Sequence, residues 1–159
     1  MTFGPASELG VGLFEDTAPF EYIPGRSEEE VESIIRAVYR QVLGNAYIME
    51  SERATVPESQ FRLGQLSVRE FVREIGKSNA YVSRFFETCP RYRFIELNFK
   101  HFLGRAPNGY DEMKAHSAIL DEGGWEAEID SYLDSDEYQE AYGENFVPFY
   151  RGYKSRPGQ

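Results

Sequence analysis

Two histidines, one cysteine and an acidic C-terminal third are the residues from which this chain would have to build chemistry. Glu112 and His116 stand four apart on a helical stretch, a spacing that offers two metal ligands on one face. No HExxH string and no second ligand pair accompanies them, and a surface helix pair accounts for the same spacing. His101 sits inside another helical run. Cys89 precedes Pro90 at a helix start, where the macrodipole favours a thiolate. A catalytic thiol also needs a histidine and an orienting group beside it, and a buried structural cysteine is the plainer reading. The stretch DSYLDSDEYQE fails as a calcium loop, because counting from Asp134 puts Tyr138 at position five and Gln139 at position six. The glycines of GPASELGVG follow no strand and make no phosphate-cradling loop. No catalytic residue, metal ligand or cofactor-binding residue is expected.

The remaining signal is basic and aromatic. Arg91 and Arg93 flank Tyr92 just after Pro90, and Arg with Tyr is the composition of interface anchors. The tail FVPFYRGYKSRPGQ again mixes aromatics with Arg151, and the first residues carry Phe20 and Tyr22 among glycines and prolines. The expected partner-binding set is Phe20, Tyr22, Arg91, Tyr92, Arg93, Phe149, Tyr150, Arg151 and Tyr153. The alternative is that Tyr92 and Tyr150 belong to the core. Arg69, Arg73 and Lys77 recur every four residues along one ridge, with Glu70 and Glu74 beside them.

Helices must position these groups. Ser27 and Glu30 form a capping box ahead of Val31, Ile34, Ile35, Val38, Tyr39, Val42 and Leu43, which run at helical spacing to Gly44. Thr55 with Glu58 is expected to cap a shorter helix ending at Gly64, and Ser67 with Glu70 a third. Ser78 starts a helix carrying Tyr81, Val82, Phe85 and Phe86. Pro90 suits the first turn of the next, which ends at Gly104. Segments 110–121, 125–134 and 136–142 follow, punctuated by Gly123, Gly124 and Gly143. No segment alternates with period two, so the fold is predicted to be all-α, with about seven to eight helices. Two pairs of strings echo each other. IIRAVYRQVLGN aligns with FIELNFKHFLGR at an offset of 60, and VREFVREIGKSNAYVSRFF with WEAEIDSYLDSDEYQEAYG at an offset of 57. They suggest two pseudo-repeated halves, roughly 27–87 and 90–143. Residues 1–25, broken by Gly4, Pro5, Gly10, Gly12, Pro19, Pro24 and Gly25, read as an extended arm that orders on a partner.

Composition fits one domain: 41% apolar, 28% charged and a single cysteine, so no internal disulfide forms. The opening residues show no basic leader before an apolar stretch, so no secretory signal is expected, and no run is long enough to span a membrane. The net charge of −10 argues against nucleic-acid binding. Residues 1–66 hold 5 basic and 11 acidic side chains, 67–107 hold 8 and 4, and 108–159 hold 4 and 12. A basic middle of this kind steers an acidic partner to one face, unless it is a mixed solvated surface.

Four long strings, EEVESIIRAVYRQVLGNAYIMESER, LSVREFVREIGKS, YVSRFFETCPRYRFIELNFKHFLGRAP and AEIDSYLDSDEYQEAYGENFVPFYRGY, resemble in order and spacing the conserved domain of phycobilisome linker polypeptides. The opening MTFGPASELGVGLFEDTAPFEY is most similar to the rod-linker branch. The resemblance implies an arm over 1–25, a linker domain over 26–153 and a tail over 154–159. It implies a non-enzymatic plug in the central hole of phycocyanin, phycoerythrin or phycoerythrocyanin trimers or hexamers. Such a plug directs rod assembly and tunes the bilins of its partners. Phycobiliprotein α and β subunits and neighbouring linkers would be its partners, on the cytoplasmic or stromal face of the thylakoid membrane. No covalently bound cofactor is implied, although contact with partner bilins is; bilin attachment at Cys89 is the less favoured alternative. A core-membrane linker repeat of the allophycocyanin core and a bilin-handling enzyme are the alternative functions. Two features set this chain apart from the family pattern. Rod linkers usually continue into a second, smaller C-terminal domain, and they are usually basic.

Overall fold

The computed structural model describes residues 19–44 and 49–151. It is all-α, and the one strand-like feature among the described residues is an isolated antiparallel bridge between Glu21 and Phe146. The first helix, α1 (Glu28–Leu43), begins as its sequence requires. The Ser27 side chain accepts the Glu30 N–H, three glutamates occupy the positive end of the dipole, and Gly44 ends the helix in the left-handed region. Its inner face, Ile34, Ile35, Val38, Tyr39, Val42 and Leu43, enters the core.

A short 3₁₀ turn (Glu50–Glu52) leads into α2 (Thr55–Arg62). The Thr55–Glu58 capping box does not form: Ala54 is the N-cap and makes no side-chain cap. Glu58 points inward instead, 2% exposed, and accepts the Tyr39 hydroxyl at 2.5 Å together with Arg53 and Arg62. The Tyr39 oxygen in turn takes the Ala54 N–H at 2.9 Å. A carboxylate with two guanidiniums within reach gains more there than at a solvated cap.

Helix α3 (Val68–Gly76) starts at Ser67, whose side chain accepts the Glu70 N–H, as expected. Helix α4 (Asn79–Tyr81) widens at once into a π-helical turn over Val82–Phe86. Helix α5 (Arg91–Asn98), with Pro90 as its N-cap, does the same over Phe99–Leu103. Neither π turn is visible in the hydrophobic spacing. Gly104 closes the second one with φ +72°, and the last described residues cross it so closely that a Cβ there would lie 2.1 Å from the Phe149 carbonyl oxygen. Both the backbone angle and the crossing demand glycine.

Helix α6 (Tyr110–Leu133) contains Gly124 at φ 79°, ψ −174°, so the two expected helices meet at a kink. That kink reverses the chain. His116 and Glu128 would lie about 18 Å apart along a straight helix, yet their side chains approach to 3.3 Å. Helix α7 (Asp136–Ala141) is capped by Ser135. Ser78 and Ser135, matched by the sequence echo, act alike: each accepts the N–H of the tyrosine three residues on, and each donates to the carbonyl three residues back.

The core joins Phe61, Phe71, Phe94, Phe99, Phe102, Tyr81, Tyr132 and Tyr138, all 1% exposed or less. Residues 19–23, placed in the expected arm, lie against this body. Tyr22 donates its N–H to the Asn145 carbonyl, Val147 donates to the Phe20 carbonyl, and the Tyr22 ring meets Phe61 at 5.1 Å. That is a correction to the free arm for these residues. Residues 1–18 of the arm, Tyr153 and the tail lie outside the described residues.

Candidate docking surface

The histidines and the carboxylates near them are absorbed by the fold. Glu112 is held by Arg105 and the Asn108 N–H. Arg105 hydrogen bonding keeps its carboxyl below the usual glutamate value. His116 stacks on Tyr132 at 4.5 Å and faces Glu128. Glu128 is fully buried, and its other oxygen accepts the Asn98 amide. Tyr81 donates to the Asn98 side-chain amide oxygen and lies 2.9 Å from His101 Nδ1. Burial, with Lys100 and Arg93 nearby, pushes the His101 imidazole down to about 4. Among the described residues no three His, Cys, Asp or Glu side chains gather as metal ligands.

This inner network escaped the sequence reading. A signal existed: Glu128 falls on the inward stripe between Trp125 and Tyr132, where a carboxylate is out of place. Its partners could not be named, because Asn98 and Tyr81 lie 30 and more residues away.

The basic middle is largely neutralised within the chain. Arg73 binds Asp130, Asp134 and Glu70; Lys77 binds Asp130; Arg69 binds Glu144, the Gln139 side chain and the Leu133 carbonyl. The Arg69–Arg73–Lys77 ridge therefore clamps α3 onto the second half of α6. Arg84 reaches Glu52 and the Leu43 carbonyl, and Arg105 bridges Glu112 and Glu137.

The expected docking residues fall into three local groups. At the start of α5, Arg91 binds Asp121 and the Ser117 hydroxyl and carbonyl, Tyr92 is 43% exposed, and Arg93 pairs with Glu96. Tyr92 meets Tyr110 edge-on at 6.3 Å, and Lys114 lies over the Tyr110 ring. The Tyr110 hydroxyl raises the Tyr92 phenol above its ordinary value. Tyr110, 65% exposed, is a surface ring beside Tyr92 that the sequence reading missed. It sits at the first position of a helix, with no periodic neighbours to mark it.

In the second group, Phe149 packs on Tyr142 at 5.2 Å and Arg151 binds the Leu103 carbonyl and Glu137. Both fasten the chain end to the body, and Tyr150 between them is 44% exposed. In the third, Phe20 and Tyr22 lie half-buried beside Val147 and Phe61. Of the expected set, Arg91, Tyr92, Arg93 and Tyr150 present the most surface.

Comparison with known proteins gives this surface a context. Residues 26–151 match the family described as Phycobilisome Linker polypeptide. The chain is 67% identical over 155 residues to a 31.8 kDa rod linker polypeptide of Microchaete diplosiphon, described as phycoerythrin-associated; the match covers 98% of this chain and 54% of that protein. It is 52% identical over 154 residues to a 32.1 kDa phycocyanin-associated rod linker of Mastigocladus laminosus, covering 97% and 54%. A 32.1 kDa phycocyanin-associated rod linker of Synechocystis is 46% identical over 154 residues, covering 97% and 56%. The chain thus spans about half the length of these curated relatives.

Proposed function

The chain belongs to the phycobilisome linker polypeptide family, and from that premise we propose that it is the folded linker domain of a rod linker, associating with phycoerythrin in preference to phycocyanin. The observation that carries the preference is the 67% identity to a phycoerythrin-associated relative, against 52% and 46% to phycocyanin-associated ones. In this reading the helical body over 26–153 enters the central cavity of a trimer or hexamer. There it contacts α and β subunits, meets neighbouring linkers and directs rod stacking. The family match covers residues 26–151.

The domain works by shape and contact and catalyses nothing. It carries no covalent cofactor, and it shifts partner bilins through the charges and rings it sets beside them. An asymmetric body inside a threefold ring makes otherwise equivalent pigments inequivalent. The assembly is placed on the cytoplasmic or stromal face of the thylakoid. Among the described residues no helix is long and apolar enough to cross a membrane. The relatives named above are all rod linkers, which favours the rod over the allophycocyanin core.

Mixing the chain with linker-free phycoerythrin and phycocyanin trimers tests the reading. Sedimentation should show hexamers or stacked discs carrying the chain, at lower chain concentration with phycoerythrin, with a displaced absorption band. Unchanged sedimentation with both pigments rejects it, and bilin transfer to an apo-subunit favours the enzyme alternative.

A further inference from the structure

Almost every cation among the described residues is already matched inside the chain. Arg26, Arg53, Arg62, Arg69, Arg73, Lys77, Arg84, Arg91, Arg93, Arg105 and Arg151 are ion-paired, and Lys114 lies over Tyr110. Arg36, Arg40 and Lys100 have no acidic partner among the described residues; Arg36 reaches only the Ser33 hydroxyl.

Two of these cations lie on α1, and Lys100 lies on the second π turn, which packs against that helix. Arg36 and Arg40 are one turn apart on the exposed side of α1. Gln41, next along, donates to the Lys100 and His101 carbonyls at 3.2 and 3.0 Å, which sets the second π turn against the end of α1. Arg84 of the first π turn donates to the Leu43 carbonyl at 3.0 Å, so that turn reaches the same end. The two π turns then meet ring to ring, with Phe85 and His101 at 4.8 Å and both partly exposed.

A π turn costs helical hydrogen-bond geometry and rotates the residues after it, and such turns collect at functional sites. Here the wide turns are closed by the Glu87 N–H on the Val82 carbonyl and the Gly104 N–H on the Phe99 carbonyl. Two in one small domain, meeting beside the unmatched cations, make a face of the composition that protein partners use: partly buried rings with cations around them.

We propose that this face, Arg36, Arg40 and Lys100 around the Phe85–His101 ring pair, docks an acidic surface of a protein partner; the proposal rests on the linker reading above and names the face it uses. Charge complementarity selects the occupant. The cations attract an acidic surface, whereas the chain's overall negative charge opposes a polyphosphate. The rings supply area that loses water on contact.

The test compares Arg36→Gln/Arg40→Gln with Ser59→Glu/Gln65→Glu, which shifts net charge by the same amount at exposed positions elsewhere. Each is titrated against linker-free phycoerythrin and phycocyanin hexamers and against duplex RNA, at low and high salt, with melting temperature recorded. The first pair should bind the preferred hexamer about tenfold more weakly at low salt, with the gap closing as salt rises. The second should stay within about twofold, and neither should move the melt appreciably. Equal weakening by both pairs, or by neither, overturns the docking face while leaving the linker reading intact. RNA retention by the unaltered chain that the first pair abolishes overturns it in favour of nucleic acid. Failure of the unaltered chain to bind either hexamer overturns the linker reading and the docking face together.

Discussion

His101 shows how a single side chain acquires a property its sequence neighbours do not announce. Its ring is walled in by Tyr81, Phe85 and Phe102, with Lys100 and Arg93 near enough to repel a proton. Burial dominates and holds the imidazole at about 4, below its ordinary 6.5. The unfolded chain therefore takes up this proton first. The stability His101 confers is complete above pH 6.5 and is lost as pH falls toward 4. Between pH 7 and pH 5 the loss from this ring should be about 2 kcal/mol. Chemical denaturation of the natural chain and of His101→Gln at the two pH values checks this. The variant should lose markedly less, and parallel losses would show that the ring is not the source.

At the scale of elements, the end of the second π turn and the crossing C-terminal segment depend on each other. Arg151 donates its N–H to the Gly104 carbonyl at 2.8 Å, and the Tyr142 hydroxyl lies 3.0 Å from the Leu103 carbonyl and 2.7 Å from that of Phe149. Gly64 has a similar angle, φ +80°, but nothing within 4 Å of a Cβ. Gly64→Ala should therefore cost only the left-handed penalty of about 1–2 kcal/mol. Gly104→Ala adds a collision with the Phe149 carbonyl. Its melt should fall by several degrees more, at roughly 2–4 °C per kcal/mol for a chain of this size, and the amides of 149–151 should exchange faster. Equal melts for the two variants would mean that the crossing is loose. Both helix ends were legible as glycines in the sequence; the crossing was not, because nothing in residues 99–104 refers to residues 149–151.

Across the whole molecule, the aromatics that pack the body and those that stay exposed are different residues. Tyr92 is nearly half exposed and touches Tyr110, whereas Phe149 packs on the buried Tyr142. Tyr92→Ala should weaken hexamer binding by about 2 kcal/mol with little change in melting temperature. Phe149→Ala should chiefly lower the melt, as loss of a packed ring does. Disc titration and thermal melts of both variants separate the roles. A lowered melt with unchanged affinity for Tyr92→Ala would return that ring to the core. The same division applies to charge. A net-basic middle looked like a docking stripe, but most of it holds α3, α5 and the acidic C-terminal third together, and the cations left over lie partly on α1.

The sequence by itself determined the helical class, the family and most helix limits. Ser27, Ser67, Ser78 and Ser135 each cap an N–H three residues away, and Gly44 and Gly104 stop their helices, so these signals are complete within a few residues. Tertiary structure alone decided which charges remained for a partner. Arg73 finds Asp130 at a separation of 57 residues, Lys77 finds it at 53, and Arg69 finds Glu144 at 75. It also decided that Glu58 and Glu128 go inside and that two helices widen into π turns. An ion pair or a wide turn is selected by whatever packs against it, and no period along the chain encodes a neighbour that arrives only when the chain reverses at Gly124.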